Sequence, residues 1–518
     1  MAGDSRGYVA ALDIGTTKIK CKILNISLEA VGSAYKNVTL HYPKPGYVEI
    51  SPDELWRDVI SVIKDAMSAG NINIFDVKSL GISVQRASFI TWSKSSGKPF
   101  HDFITWKDLR TKNFAKVVNK YWSVRILKLG AAIGHFFTRN DRLFAASNLK
   151  FVSRDASVRL SWMLSNIKEL NEALLKDDVL FGTMDTWLVY KLTNGKKHVT
   201  DISNASATCL YDPFLLQWGL MTNLLRIPKS ILPEVVANNY NFGEIEKDIF
   251  GAPIKIGCII SDQSSSMLGA CCFNKNDLKV TLGTGAFLNL NTGNSIQGSK
   301  SGLYPLVGWN MDKEIVYLSE VACNDSGSLI EWALQSGFIN SVREIPEMIN
   351  KTTSNDGVYF IAAFSGLGPP VNDDNAGSGF IGIKPTTRKE HMVRAIMESI
   401  IFRVALTINL LINETQTDYR RMRIDGGVSN SDFVCQMLAD ITGLSIERLD
   451  MADLSIIGAG YLAGISSGIW KNKRDLKNQI SVEQTFYPST DKINNEQCKN
   501  EMNKWLRAAQ RFKAWHTE

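Results

Sequence analysis

One pattern constrains this chain more than any other: the same strand–turn–strand unit is written twice. Asp13-Ile14-Gly15-Thr16-Thr17 follows an apolar run at 8–12 and leads into a second run at 19–24. Thr281-Leu282-Gly283-Thr284-Gly285 follows another strand-like run and leads into 286–290. Glycine lets the backbone bring its N–H groups against an anion, and a threonine hydroxyl adds a donor. A single turn of this kind is usually an ordinary hairpin. Two of them, roughly 270 residues apart, point to a duplicated domain with one phosphate-gripping hairpin in each half.

Helical and strand patterns alternate along all 518 residues, the signature of an α/β protein with covered sheets. Residues 80–84, 254–260 and 422–424 read as further buried strands. Ser51-Pro52-Asp53-Glu54 predicts a helix start, with Ser51 as cap, Pro52 first in the helix and Glu54 reaching back to close a capping box. The boundary between the halves is expected near residue 255, with the run at 254–260 opening the second. That gives an N-terminal domain over 1–255 and a C-terminal domain over 256–518.

Composition narrows the class. Lys plus Arg at 58 against Asp plus Glu at 52 leave a net charge of +6, too small to argue for a nucleic-acid or membrane surface. No run of about 18 apolar residues marks a spanning helix, and the N-terminus lacks the apolar core of a signal peptide. The eight cysteines are scattered, with no two-residue spacer between any pair. Neither a zinc site nor a disulfide framework is written, so reduced thiols in a cytoplasmic protein are expected.

Asp262 ends the run at 254–260. A carboxylate at the C-terminal end of a strand in an α/β domain faces the ligand cleft, and a helix cap explains the spacing equally well. Asp425-Gly426-Gly427-Val428-Ser429-Asn430 follows the run at 422–424. Its glycines permit a flat turn against which a purine could lie, although a plain strand-to-helix turn is the commoner outcome. A Walker loop fails on inspection: Gly293 and Gly298 have the spacing, but Ser299 stands where the lysine belongs. Gly458-Ala459-Gly460 sits in a helical pattern and reads as close helix packing.

Taken in order, these segments resemble the FGGY carbohydrate kinases, and among them the glycerol kinases. The first phosphate loop is matched at 13–17, and further segments at 42–49, Gln85-Arg86, Gly97-Lys98-Pro99, 106–111, 181–188 and 200–206. Asp262-Gln263, Gly283-Thr284-Gly285 and 364–368 follow in the family's order. Residues 378–398 satisfy its C-terminal signature, with His391, Ala395 and Glu398 at matching spacings.

The resemblance implies two ribonuclease-H-like halves of the actin, sugar kinase and Hsp70 superfamily, flanking a nucleotide cleft. It implies ATP-dependent phosphorylation of glycerol to glycerol 3-phosphate, with Asp262 as general base. A carboxylate suits that task because it need only accept a proton as charge develops. Asp13, with Asp262, would hold Mg²⁺. Gly15, Thr16, Thr17, Gly283 and Thr284 would grip the phosphates, with Lys20 standing where the family often has arginine. Gly327, Gly427 and Ser431 would line the adenosine pocket. Glycerol would touch Arg86, Trp106, Asp262, Gln263 and Phe287. The implied partner is glycerol or a similar small polyol, with no nucleic acid and no transmembrane segment, and a homo-oligomer is compatible with the pattern.

The departures cluster on the substrate side. Ala87 replaces the acidic residue that follows the arginine in glycerol kinases, and Ser264 replaces a second glutamine. No tyrosine occurs between Gly130 and Trp162, a stretch longer than usual that supplies a polyol contact in the family. In this the chain resembles the divergent glycerol kinase 5 subgroup. Two alternatives follow: a kinase for another small polyol or ketose, and a nucleotide-binding regulatory protein that has lost turnover.

Overall fold

The computed structural model describes residues 7–299, 302–312, 314–323, 325–369 and 371–516. Its frame is two sheets built on one plan. Tyr8–Ile14 and Lys18–Leu24 pair antiparallel across the first Gly-Thr turn, and Ala30–Asn37 extends the meander. On the other side Val77–Val84 and then Ile254–Ser261 add in parallel. The second sheet repeats the plan. Leu278–Leu282 and Ala286–Gly293 form the hairpin, with Glu314–Cys323 and Tyr304–Met311 beyond it. Arg421–Asp425 and Ser445–Leu449 add in parallel, and Val482–Phe486 closes the edge. The central strands are apolar on both faces because helices cover both sides, so they read as runs rather than alternations.

The division at residue 255 does not hold. Ile254–Ser261, expected to open a 256–518 domain, pairs in parallel with Val77–Val84 and completes the first sheet rather than leaving 1–255 as a closed unit. Helix Asp262–Gly269 follows it, and the chain enters the second sheet only at Leu278. A run apolar on both faces fits either sheet, and the partner strand decides.

Helix Leu454–Ser466 returns from the second half and packs across Tyr8–Ile14, Val77–Val84 and Ile254–Ser261, beside helix Asp262–Gly269. The approach is close enough to demand glycine. A Cβ at Gly458 would lie 2.0 Å from the Ser265 carbonyl oxygen, and one at Gly81 would lie 2.2 Å from that of Ala459. Gly458-Ala459-Gly460 therefore serves close helix packing, as its helical setting suggested, against a helix at Gly458 and against the sheet at Ala459 and Gly460.

Ser51 caps helix Pro52–Ala69 and accepts from the Glu54 N–H at 3.4 Å. The capping box does not close, because the Glu54 carboxylate turns to His41 Nε2 at 3.1 Å. A four-stranded sheet of Glu49–Ile50, Phe103–Ile104, Phe89–Trp92 and Leu180–Thr183 flanks the first half and carries the segments around Arg86 and Trp106. Helix Lys389–Thr415 is long and apolar enough to cross a membrane, yet most of its apolar length lies buried in the second half's core. His391 and Glu398 of the C-terminal signature serve that helix. His391 Nδ1 accepts from the Arg388 N–H, and Glu398 is buried against Arg394 and Asn355. All eight cysteines are free, and six of them are buried.

Candidate active site

The first Gly-Thr turn is held from three sides. Gly15 N–H donates to the Lys18 carbonyl at 3.0 Å, and Gln85 Nε2 donates to the Gly15 carbonyl at 3.3 Å. The Thr16 hydroxyl donates to Gln85 Oε1 and accepts from the Trp106 indole at 2.8 Å, while Thr17 is exposed at the tip. Just before the turn, Asp13 accepts from the Ser83 hydroxyl at 2.7 Å, and burial holds its carboxyl above the usual range. Lys20 lies opposite Asp13 in the hairpin, but its ammonium pairs with Asp453 at 2.5 Å, next to Lys22 at 3.0 Å. Lys20, expected at the phosphates, is thus held by a residue 433 positions further along the chain.

The second turn is the meeting point of three glycine-bearing segments. Gly327 opens helix Gly327–Gln335 and donates its N–H to the Gly283 carbonyl at 2.9 Å, while the Ser328 N–H reaches the Thr284 carbonyl at 3.1 Å. A Cβ at Gly327 would sit 2.7 Å from the Gly283 oxygen, and one at Gly426 would sit 2.4 Å from that of Leu282. Gly427 has open space where its Cβ would be, and Ser431 stands at the N-terminal boundary of the next helix, Asp432–Thr442, with no side-chain capping bond. A helix N-terminus beside a glycine turn suits phosphate, and an open glycine surface suits a flat ring.

Asp262 is the first residue of helix Asp262–Gly269, directly after its strand; the cap position itself, offered above as the other explanation, falls to Ser261. Arg86 Nε lies 3.4 Å from its Oδ1. Burial pushes the Asp262 carboxyl up to about 6; Arg86 opposes this, and the charges of Asp13 and Glu320 add to it. Arg86 also lies over the Phe287 ring, 5.7 Å from its centroid, and Phe287 meets Trp106 edge-on at 6.3 Å. Gln263 Oε1 accepts from Asn289 at 3.4 Å. Arg86, Trp106, Asp262 and Phe287 are thus linked by side-chain contacts, Gln263 joins them through its N–H, which donates to Asp262 Oδ1 at 2.7 Å, and Trp106 ties them to the first Gly-Thr turn.

Two family models match the chain: the N-terminal domain of the FGGY family of carbohydrate kinases over residues 8–269, and its C-terminal domain over 278–467. The chain belongs to the FGGY family of carbohydrate kinases. Glycerol kinase 5 of Danio rerio is 41% identical, covering 99% of this chain and 97% of its own. Glycerol kinase 2 of Thermotoga maritima is 34% identical, covering 98% and 99%. The crystal structure of Plasmodium falciparum glycerol kinase with ADP superposes with a TM-score of 0.84 at 26% identity, covering 98% of each chain.

In this FGGY kinase several residues that shape the site carry little sequence signal. Glu320 is fully buried and pairs with Arg86 NH2 at 2.6 Å. It also takes the hydroxyl of Tyr304, whose titration is pushed far up by burial and by this neighbour. A lone acid inside the apolar strand Glu314–Cys323 was the available clue. Lys279, 1% exposed, pairs with Asp425 at 2.6 Å, and Ser266 donates to the same carboxylate at 2.7 Å. That joins the glycine turn at 426–427 to the helix that Asp262 begins.

The segments at 181–188 and 200–206 brace the strand Ile254–Ser261 that leads into this helix. The Ser261 N–H donates to Ser203 Oγ at 2.9 Å, Ser203 donates to Asp201, and Asn238 bridges Asp201 to the Ile259 carbonyl. Asp185, equally buried, accepts from Thr200 at 2.7 Å. Burial and the charge of Asp185 raise the Asp201 carboxyl.

At the departure, Ala87 sits in the left-handed region at φ 59, and its carbonyl accepts from buried Arg159 at 2.8 Å. Asp108, an acid on the segment that carries Trp106, is spoken for. It accepts from the Val48 N–H at 2.7 Å, from Arg110 Nε at 2.8 Å and from Arg110 NH2 at 2.7 Å.

The base role that the family resemblance implies for Asp262 carries an expected pH profile. A base acts only when ionised, so kcat/KM should rise with unit slope through pH about 6 and level off above it. Arg86 stays protonated throughout that window and adds no limb. An acid limb centred near pH 4, the ordinary carboxylate value, would take Asp262 out of the base role.

Proposed function

We propose that this FGGY kinase transfers the γ-phosphate of ATP to a hydroxyl of glycerol or a similar small polyol, with Asp262 taking the hydroxyl proton. The observation that carries the reading is the Asp262 carboxyl itself: at a strand end, beside Arg86, with its proton affinity pushed up to about 6. A base with a pKa one unit below neutral is ionised at work and still accepts a proton readily. The three glycine-bearing segments at the second turn suit the nucleotide. Arg86, Trp106, Gln263 and Phe287 suit a small polar substrate, with apolar walls for carbon and donors for hydroxyls.

Asp13 and Asp262 fit Mg²⁺: both offer carboxylate oxygens, and Asp13 is close enough for its charge to raise the Asp262 carboxyl. Among the described residues no group of three His, Cys, Asp or Glu could hold an ion alone. A magnesium ion with one or two carboxylates takes its remaining ligands from phosphate and water, and it would supply charge neutralisation at the phosphates. Closure of the halves excludes water, so phosphate goes to the polyol rather than to hydrolysis. Eight unpaired thiols suit a reducing compartment, and we place the enzyme in the cytoplasm.

A second reading, a larger polyol or a ketose as substrate, is favoured by one observation: Ala87 stands where a carboxylate would select glycerol, and Asp108 is engaged elsewhere. Purified protein with ATP, tested against glycerol, dihydroxyacetone, xylulose, ribulose and gluconate, separates the readings. ADP release is expected with glycerol, and with at least one other compound within about tenfold in kcat/KM. ADP release with none of them would leave the regulatory alternative in possession.

A further inference from the structure

Helix Trp122–Thr138 carries its large side chains outward. Trp122, Ile126, Leu129, Ile133 and Phe136 recur at alternating steps of four and three, and Phe137 widens the row. At about 100° per residue they form a single stripe. All six are more than half exposed, Trp122 at 75% and Phe137 at 77%. The residues this helix buries, Val124 and Ala131, lie on the opposite side, and Val124 joins the apolar cluster beneath. A helix of a water-bathed protein normally turns its apolar stripe inward. This one presents it to the outside.

The charge around the stripe is one-sided. Between Asp108 and Asp141 the chain has seven Lys or Arg and no Asp or Glu. Arg110 is held by Glu49 and Asp108, and the other six make no ion pair among the described residues. Arg125, Lys128 and Arg139 follow one flank of the stripe. The chain's overall charge of +6 did not reveal this, because acids elsewhere offset bases elsewhere while this segment has none.

We propose that this face docks the protein on a bilayer containing anionic lipid, with the helix lying in the headgroup plane and its stripe among the acyl chains. An apolar stripe rich in Trp, Phe, Leu and Ile beside unpaired basic residues is what such a surface takes up. Trp122 at one end and Phe136-Phe137 at the other suit the boundary between headgroups and hydrocarbon. The free cations attract anionic headgroups over a Debye length. A second copy of the chain is the weaker occupant, since pairing two such helices would crowd bases together with no acid to meet them. The proposal stands apart from the kinase reading and does not depend on it.

Co-sedimentation of the full chain with vesicles tests it. Binding is expected to phosphatidylcholine vesicles containing phosphatidylserine, to fall as salt rises, and to be weak on phosphatidylcholine alone. Leu129→Asp with Ile133→Asp, both exposed, should lower vesicle partitioning by at least about tenfold while thermal unfolding and basal kinase activity stay as in the parent. Arg125→Glu with Lys128→Glu should remove the preference for phosphatidylserine. Three results would overturn the proposal: no binding of the parent to phosphatidylserine vesicles, equal binding of parent and Leu129→Asp/Ile133→Asp, or a dimer that this variant dissociates in the absence of any vesicle binding.

Discussion

Asp262→Asn is expected to lower turnover by roughly 10²–10⁴ while leaving ATP affinity within a few-fold of the parent. The amide keeps the size of the carboxyl and its place beside Arg86, but it cannot accept the proton of the attacking hydroxyl. Single-turnover phosphoryl transfer measures the first effect and nucleotide titration the second. A stability measurement separates chemistry from misfolding, and its sign follows from the titration. Burial raises the Asp262 carboxyl above its ordinary value of 3.8, to about 6. The folded state therefore favours the protonated form, and the stability this group contributes is lost as pH rises through about 6. At neutral pH the amide removes a poorly solvated charge, so the variant should unfold at no lower temperature than the parent. Arg86 keeps its partner Glu320 in the variant. Full turnover by Asp262→Asn would remove the residue from the base role, and a large loss of thermal stability would point to a structural part instead.

Ala87→Glu should raise kcat/KM for glycerol by roughly ten- to a hundredfold. Glycerol is small, so each hydroxyl contact carries a large share of its binding. A carboxylate accepting from a substrate hydroxyl contributes ~1.5–3 kcal/mol. The structure removes one competing account, in which Asp108 reaches the same hydroxyl, because Asp108 spends both carboxylate oxygens on Val48 and Arg110. Alanine already occupies the left-handed backbone at φ 59, so glutamate adds no backbone strain of its own. The variant should keep its ATP affinity and lose ground on whichever larger polyol or ketose the parent uses, since the carboxylate fills the space alanine leaves. An unchanged kcat/KM, or a loss from a parent that already uses glycerol well, would mean that the pocket has been rebuilt around alanine.

The sequence by itself determined what is local. Both phosphate hairpins were legible because each is a three-residue turn between apolar runs, and turn chemistry acts over a few residues. Pairing two such units foretold two sheets on one plan. Helix Pro52–Ala69 announced its start through Ser51 and Pro52 for the same reason, and Asp262 was legible as a carboxylate at a strand end.

What only the tertiary structure decided lies in pairings between distant residues, for which a sequence carries no distance information. Strand Ile254–Ser261 is apolar on both faces and would satisfy either sheet; parallel pairing with Val77–Val84 assigned it to the first. Lys20 reads as a phosphate-side cation, and its partner Asp453, 433 residues away, is set by the fold alone. Glu54 found His41 instead of its own backbone. Arg86 stands out in a local motif, while Glu320, 234 residues on, carries no local signal, although it pairs with the arginine. The apolar spacing along Trp122–Thr138 can be read in the sequence, but which face of that helix meets the protein cannot. Burying Val124 and Ala131 in place of the larger row turned the stripe outward, because helix orientation follows from the surface beneath rather than from periodicity alone.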